Sequence, residues 1–207
     1  AYDKRVAETP VIRENVVYWH VGTTGTGKSF EGFRRMAERG RSAVYITVGE
    51  NKHPFDRYTG QPEIWIDELR QDAPFFSFAR LLGVCDKYTA DVDARYQDTL
   101  MMWKETHITT PMMPQDLYDN IRQKQDKLNQ LLRRIRYYVY HWRDADGYHA
   151  YFHDTGCTGQ TVDIRILQAD AMRWLARQKN TPVQSANSTG DLLEDFETLP
   201  TNECDWM

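Results

Sequence analysis

The chain has 207 residues and a formal net charge of −4, with 41% hydrophobic and 27% charged residues. This balance excludes a strongly basic nucleic-acid-binding domain, so any contact with nucleic acid must come from a local patch. No apolar run approaches the roughly 20 residues of a membrane-spanning helix, and we expect no membrane partner. The three cysteines match no zinc-binding or Cys-x-x-Cys spacing, and we expect an intracellular protein.

The first third of the chain alternates strand and helix signals. The charged residues 1–14 are expected to form a linker or a short helix, and the β-branched and aromatic run 15–21 predicts a buried strand. Apolar residues then recur at the spacing of an amphipathic helix that stops at Gly40: Phe30, Phe33, Met36 and Ala37. A second buried strand is predicted over 43–48, and an irregular stretch follows to Pro62.

The middle of the chain continues this alternation. Residues 63–68 predict a short apolar strand that ends in two carboxylates. A helix is predicted over 75–82, a polar hairpin or loop over 86–99, and a further strand within 100–110. A long helix over 114–136 is predicted from apolar residues on one face: Leu117, Ile121, Leu128, Leu131, Leu132 and Ile135.

The last third changes in composition. Aromatic runs on either side of residues 144–147 predict a hairpin with an Asp-Gly turn, and residues 162–178 predict a helix. The whole pattern predicts an α/β fold with a central, mostly parallel sheet flanked by helices. We expect four segments in chain order: a linker or oligomerisation remnant (1–14), a nucleotide-binding domain (15–136), a C-terminal hairpin–helix appendage (137–179) and a polar acidic tail (180–207).

The most specific motif lies between the first strand and the first long helix, where residues 22–29 match G-x-x-x-x-G-K-[ST]. Glycines let backbone amides wrap around phosphate oxygens. Lys28 would neutralise the β- and γ-phosphates, and the Ser29 hydroxyl would hold Mg²⁺. An ordinary glycine turn is the alternative. We expect ATP and Mg²⁺ as ligands, bound by consecutive residues: Gly22, Thr23, Thr24, Gly25, Thr26, Gly27, Lys28, Ser29 and Phe30.

Two carboxylates, Asp67 and Glu68, end the apolar strand about forty residues after Lys28. A phosphate-loop NTPase needs one carboxylate there to hold Mg²⁺ and a base that orients or deprotonates the attacking water. Asp67 suits the first role and Glu68 the second. The alternative is an acidic helix start. Glu68 also disfavours a small-molecule kinase, in which a substrate hydroxyl replaces the water.

Between these two motifs the chain carries a recognisable set of residues: Asn51, Lys52, Asp56, Tyr58, Gly60 and Gln61. Together with the loop, they resemble the replication initiator (Rep) proteins of small circular single-stranded DNA viruses, which commonly read N-K-W-W-D-G-Y-x-G-Q here. The chain departs from that pattern at four positions: His53, Pro54, Phe55 and Arg57. The resemblance covers about residues 16–136 and implies a P-loop NTPase domain of the AAA+-like superfamily 3 helicases.

Residues 81–88 are similar to the family's L-L-x-x-C-D-x-Y segment, which leads into a DNA-contacting hairpin. The resemblance implies that a basic and aromatic group of residues contacts single-stranded DNA, with bases stacked on the tyrosines: Lys87, Tyr88, Arg95 and Tyr96. The family usually has K-G-G where this chain has Arg95-Tyr96-Gln97. A solvated polar loop is the alternative.

Residues 108–118 are similar to the family's motif C, I-T-S-N-x-x-P-x-x-W-Y, with the register fixed by Pro114 and Tyr118. The polar sensor of the γ-phosphate in that family is the Asn, and Pro111 stands at its position. Proline has no side-chain hydrogen-bonding group and no backbone N–H. We therefore expect Thr109 or Thr110 to take the sensor role, or the role to be weakened.

Residues 130–135 are similar to the family's L-x-R-R-I. In this class one arginine reaches into the ATP site of a neighbouring subunit and stabilises transition-state charge. Arg133 and Arg134 are both candidates, and two solvated helix arginines are the alternative. The resemblance thereby implies a homo-oligomeric ring, which we expect to be a hexamer.

Three histidines cluster around the predicted hairpin: His141, His149 and His153. A cross-strand pair of histidines could bind a metal, but solvated histidines are the commoner alternative. The viral initiators also carry a nicking domain, marked by a His-x-His pair and a Tyr-x-x-Lys motif. Neither pattern occurs in this sequence, so we expect no nicking or joining of DNA.

The resemblance as a whole implies an ATP-hydrolysing DNA helicase domain of a viral rolling-circle replication initiator, acting as a ring on single-stranded DNA with 3′-to-5′ unwinding. Its location would be the host nucleus if the host is eukaryotic. The implied catalytic residues are Lys28, Asp67, Glu68, Thr109, Thr110, Arg133 and Arg134. Two alternatives stay open: a nucleotide-binding oligomeric scaffold with little turnover, silenced by Pro111, and a small-molecule P-loop kinase.

Overall fold

The computed structural model describes residues 2–95, 98–118 and 125–180. Within these residues, eight strands form in chain order: β1 (Val16–Val21), β2 (Val44–Val48), β3 (Glu63–Asp67), β4 (Asp91–Val92), β5 (Thr99–Leu100), β6 (Glu105–Thr110), β7 (Ile135–Asp144) and β8 (Gly147–Asp154). The helices are α1 (Tyr2–Glu8), α2 (Lys28–Arg39), α3 (Phe78–Val84), α4 (Pro114–Leu117), α5 (Gln125–Leu132) and α6 (Ile164–Asn180). Among the described residues, no helix is both long and apolar enough to cross a membrane.

Six strands form one sheet in the order β2-β3-β6-β1-β7-β8. The first five are mutually parallel, and β8 pairs antiparallel with β7. The predicted α/β class, with a central and mostly parallel sheet flanked by helices, is therefore confirmed. Because the strands are parallel, the carboxyl ends of β1, β3, β6 and β7 meet at one edge of the sheet, where ligands bind in such folds.

Two sequence predictions are wrong in the C-terminal half. The predicted long helix over 114–136 is not continuous: α4 ends at Leu117, α5 ends at Leu132, and Ile135 already belongs to β7. The predicted hairpin does form, but it is no appendage, because the first half of β7, up to Tyr140, pairs with β1 in the central sheet. The central sheet therefore continues across the expected domain boundary at residue 136. The predicted tail after residue 180 lies outside the described residues.

One face of the sheet carries the main apolar core. Trp19 on β1 pairs with Ile108 on β6, and Ile108 pairs with Ile66 on β3. All three side chains are fully buried and belong to one cluster with Leu131, Leu132 and Leu167 of the flanking helices. We call this side the apolar face.

The prediction that α2 packs on the protein through its apolar residues is wrong. Phe30 is 67% exposed and Phe33 is 55% exposed, whereas Gly32 and Arg35 are buried. A Cβ atom at Gly32 would lie 2.8 Å from the indole of Trp65, so only glycine lets the helix approach the sheet this closely. The helix thus turns its polar and glycine side to the sheet and leaves its phenylalanines in solvent.

The irregular stretch between β2 and β3 is held by its own side chains. Phe55 stacks on Trp103 with ring centroids 5.4 Å apart, and the Tyr58 hydroxyl donates to the Gln61 carbonyl at 2.9 Å. The Gln61 amide donates to the Arg41 carbonyl at 3.1 Å. Tyr58 and Gln61, two of the residues that carry the family resemblance, therefore fix the fold of this stretch.

Candidate nucleotide-binding site

The loop between β1 and α2 ends on an uncapped helix. Gly27 is the N-cap of α2, adopts φ 87°, and makes no side-chain capping hydrogen bond. A left-handed conformation here favours glycine over any residue with a Cβ atom. The first backbone N–H groups of a helix have no partner within the helix and carry a partial positive charge. This end of α2 is therefore built to accept an anion.

Two glycines of the loop lie against the β7–β8 hairpin. A Cβ atom at Gly22 would lie 2.3 Å from the carbonyl oxygen of His141, and one at Gly27 would lie 3.2 Å from Cδ1 of Tyr148. Both strands of the hairpin therefore approach the loop closely, and any side chain at Gly22 would push β7 away.

Lys28 lies across the mouth of the loop. Its Nζ donates to the carbonyl oxygens of Gly22 at 2.8 Å and Thr23 at 2.7 Å. Burial lowers the pKa of Lys28, and the charge of Arg70 lowers it further, while Asp67 and Glu68 oppose the shift. An ammonium group that is held only by neutral carbonyl oxygens, and that no carboxylate contacts directly, is suited to bind an anion.

The second motif joins the loop through Thr109 of β6. The Thr109 hydroxyl donates to Asp67 Oδ1 at 2.6 Å and accepts from the Glu68 backbone N–H at 2.9 Å. Glu68 is exposed and adopts φ 53°, a left-handed conformation that is costly for a glutamate. Such strained residues occur mostly at functional sites. Thr109 thus fixes the Asp67 carboxylate and holds the turn that presents Glu68.

A pocket between these elements is lined by Thr24, Gly25, Thr26, Gly27, Lys28, Ser29, Phe30, Glu68, Arg70, Thr109, Thr110 and Pro111. Most of the predicted nucleotide and catalytic residues therefore meet in one place, although they come from three separate stretches of sequence. Gly22 and Thr23 contribute through the carbonyl oxygens that hold Lys28. Asp67 stands behind Thr109, to which it is hydrogen-bonded.

Arg70 is a member of this pocket that the sequence analysis missed. It follows β3 by three residues, on the same turn as Asp67 and Glu68. Its position at the carboxyl end of a predicted strand was the available signal. A second cation beside Lys28 gives the pocket the charge that a polyphosphate requires.

The two threonines proposed as sensors lie in different environments. Thr109 is engaged by Asp67 and Glu68, as described above. The Thr110 hydroxyl accepts from the Met112 backbone N–H at 3.3 Å, which leaves its own proton to be donated. Because Thr110 lines the pocket beside Pro111, it is the better placed of the two to meet a phosphate oxygen.

Beneath the loop, a chain of histidines crosses the other face of the sheet. His141 Nε2 lies 2.9 Å from His20 Nδ1, His20 Nε2 lies 2.9 Å from His107 Nδ1, and His107 Nε2 lies 3.3 Å from Glu105 Oε2. All three contacts are satisfied when each neutral imidazole donates from Nε2 and accepts at Nδ1. We call this side of the sheet, with Trp65, Glu63 and Arg35, the histidine face.

Burial keeps these imidazoles neutral. It lowers the pKa of His20, with further contributions from His141 and His107, and together with Lys28 it lowers the pKa of His141 to about 4. Burial also lowers the pKa of His107, although Glu105 opposes the shift. The predicted cluster of hairpin histidines does not form, because His141 is buried here while His149 stacks on Trp142 and bonds Asp144.

Glu63, Glu105 and His107 bring three potential metal-ligand atoms within 4.8 Å of one another. Arg35 already occupies the space between the carboxylates, with Nη1 at 3.1 Å from Glu63 Oε1 and 3.4 Å from Glu105 Oε2. Arg39 adds a further contact to Glu63 at 3.0 Å. The group is therefore an ion-pair network in which arginine supplies the cation.

The two arginines proposed as fingers differ in their surroundings. Both lie on the turn after α5 rather than within a helix. Arg134 is half-buried and pairs with Asp86 at 2.6 Å. Arg133 is exposed and lines a shallow pocket with Thr158 and Gly159. Arg133 is thus exposed at the surface, while Arg134 is engaged in an ion pair within the chain.

The residues proposed to contact DNA lie on and before a small hairpin, in which β4 and β5 pair antiparallel. Tyr88 is 54% exposed and has the Lys87 ammonium 5.8 Å from its ring centroid. Arg95 pairs with Asp56 at 3.4 Å. Tyr96 lies outside the described residues, so the tip of the hairpin stays a prediction.

One curated protein is similar in sequence. The chain is 29% identical over 129 residues to a protein named "Replication protein" from Onion yellows phytoplasma (strain OY-M). The aligned part is 62% of this chain but 33% of that protein, so the chain spans about a third of its relative's length. No protein-family model matches the sequence. The similarity is thus to a replication protein, over a region the length of one domain.

Proposed function

We propose that this chain is the ATP-hydrolysing helicase domain of a replication initiator of the viral rolling-circle type, working as a ring on single-stranded DNA. The observation that carries the proposal is the convergence of the uncapped start of α2, Lys28 and the Thr109-linked pair Asp67–Glu68 around one pocket. The similarity to a replication protein supports the DNA-replication context.

The residues present fit ATP and Mg²⁺. The free amides at the start of α2 and the cations Lys28 and Arg70 suit a triphosphate. Ser29 and Asp67 would hold Mg²⁺, which when bound neutralises charge on the phosphate oxygens. A hydroxyl and a carboxylate are the oxygen ligands that this ion prefers.

Within that site each residue has a separate task. Lys28 gives up its hydrogen bonds to the loop carbonyls and binds phosphate oxygens instead. The Thr110 hydroxyl donates a hydrogen bond to the terminal phosphate. Glu68 orients or deprotonates the attacking water, which is worth about 10²–10⁴-fold in rate. Thr109 keeps Asp67 and Glu68 in register, so a Thr109→Val variant should lose activity through misplacement of both carboxylates.

The direct test is the ATPase rate of wild type and Lys28→Ala, measured against protein concentration with and without single-stranded DNA. We expect the rate per subunit to rise with concentration and with DNA, and to fall to background in Lys28→Ala. A rate that is zero, or that Lys28→Ala leaves unchanged, contradicts the proposal. ATP binding without turnover favours a nucleotide-binding scaffold instead.

The shared site between subunits has its own test. Arg133→Ala should lower the ATPase rate by about 10³-fold or more, as removal of an arginine finger does, with unchanged thermal stability. Arg134→Ala is the matched control: it should destabilise the subunit by breaking the pair with Asp86. Equal loss of rate in both variants without loss of stability would contradict this assignment.

A further inference from the structure

We propose that Tyr148, at the start of β8, is the platform on which the base of the bound nucleotide stacks. This inference rests on the proposed nucleotide-binding function and adds the part of the site that would hold the nucleoside. It concerns residues of the hairpin that no motif singles out and that the phosphate loop does not include.

The hairpin reaches past the sheet edge beside the loop. Tyr140 on β7 is paired with Val21, the last residue of β1. From there β7 continues to Asp144, four residues or about 13 Å further. Arg143 and Tyr148 are directly opposite each other near the tip of this extension. The hairpin thus forms a wall that stands above the sheet next to the loop.

The sheet order decides which way a nucleotide would point. Asp67 and Glu68 follow β3, which lies on one side of β1, and β7 lies on the other. The terminal phosphate must face Asp67, which would hold Mg²⁺, and Glu68, which would act as the general base on water. The nucleoside, at the opposite end of the triphosphate, is therefore directed toward the β7–β8 wall.

Tyr148 has the surface that a base needs at that place. Its ring atom Cδ1 would lie 3.2 Å from a Cβ at Gly27, so the ring touches the end of the phosphate loop, yet the residue stays 61% exposed. The guanidinium carbon of Arg143 lies 4.9 Å from the ring centroid and fixes the ring in place. An aromatic ring that is held but not covered can stack a base, as tyrosines do in nucleic-acid sites.

This platform specifies a class of ligand. Stacking uses the face of the base and tolerates every base, because each has a π-face. The ligand is therefore a nucleoside triphosphate with a planar base, and the larger ring system of a purine covers more of Tyr148 than a pyrimidine does. We expect ATP and GTP to bind with affinities within a few-fold of each other.

The test separates the base from the phosphates by using two probes, ATP and inorganic tripolyphosphate, each with Mg²⁺, in titration calorimetry. Wild type should bind ATP about ten-fold or more tightly than tripolyphosphate. In Tyr148→Ala that advantage should disappear, with the tripolyphosphate affinity unchanged, and Tyr148→Phe should restore it. Phe33→Ala, which removes an equally exposed aromatic from α2, should behave as wild type.

Three results would overturn this inference alone, and a fourth would overturn the proposed function with it. If Tyr148→Ala binds ATP as tightly as wild type, the base lies elsewhere while the proposed function stands. If both probes weaken equally, Tyr148 shapes the loop and does not meet the base. If Tyr148→Ala weakens only the binding of single-stranded DNA, its ring faces the nucleic acid. Failure of wild type to bind either probe removes the proposed function together with this inference.

Discussion

The two faces of the central sheet are buried by different means. The apolar face packs Trp19, Ile66 and Ile108 into the main core, whereas the histidine face holds ion pairs and imidazoles beneath α2. Burial of apolar groups is stabilising whatever the pH, but buried charges and imidazoles are stable only while paired and in the right protonation state. The loop that would bind nucleotide is connected to the histidine face, since the carbonyl of His141 touches Gly22.

The largest loss of stability is expected when Arg35 on the histidine face is replaced. Arg35→Met keeps the volume of the stem but leaves Glu63 and Glu105 without their buried cation. Loss of one partner from a buried ionic network costs about 3–5 kcal/mol, so the free energy of unfolding should fall by that amount in urea titrations at pH 7.5. The double variant Arg35→Met with Glu63→Gln should recover part of the lost stability, because it removes one unpaired buried charge. No recovery would contradict the ion pairing of Arg35 with Glu63.

The histidine face should also make stability depend on pH. Burial lowers the pKa of His20, His107 and His141 below the ordinary value. The unfolded chain therefore binds more protons than the folded chain below about pH 6.5, and stability is lost as pH falls from there toward the folded pKa values. We expect a loss of about 1 kcal/mol per histidine between pH 7.5 and 5.5.

The measurement is the urea midpoint of wild type and His141→Gln at both pH values, because the glutamine amide can still donate to His20 without titrating. Between these two pH values, His141→Gln should lose less stability than wild type, by the amount of about 1 kcal/mol that one histidine contributes. Glu105, whose pKa is held at about 2 by His107 and Arg35 against the effect of burial, contributes only at lower pH. A flat pH profile in wild type would show that these imidazoles are not buried and neutral.

The smallest effect is expected on the apolar face. Ile66→Val removes one methylene group from a fully buried site, which costs about 0.5–1.5 kcal/mol. The loss should be the same at pH 7.5 and 5.5, because the titratable members of this apolar cluster, such as Tyr58 and Cys85, have pKa values that burial raises, so they stay neutral over this range. A pH-dependent effect of Ile66→Val would mean that the two faces are coupled, contrary to their separation by the sheet.

The sequence predicted what depends on local chemistry. The glycine-rich turn between β1 and α2, the position of the two carboxylates after β3 and most strands could be predicted because a few adjacent residue types carry the signal. The orientation of α2 could not, since the spacing of Phe30 and Phe33 is that of a core-facing helix, and only the fit of Gly32 on Trp65 reverses it.

Features that depend on pairing between segments far apart in the sequence could not be predicted either, because no local residue pattern marks them. Leu131, Leu132 and Ile135 continue a helical spacing, so nothing local marks Ile135 as the start of β7. Its place in the sheet comes from pairing with Val17, more than a hundred residues earlier. Tyr148 reaches the loop, and His141 the histidine chain, only through this pairing.

If this site hydrolyses ATP, replacement of Glu68 should abolish turnover while leaving nucleotide binding intact. Phosphate release and ATP affinity should be measured together for wild type and Glu68→Gln, with Mg²⁺ and single-stranded DNA present. We predict that Glu68→Gln keeps its ATP affinity and loses about 100-fold or more in rate, as loss of a general base does. Equal rates for the two proteins, or no phosphate release by wild type, would contradict ATP hydrolysis with Glu68 as the base.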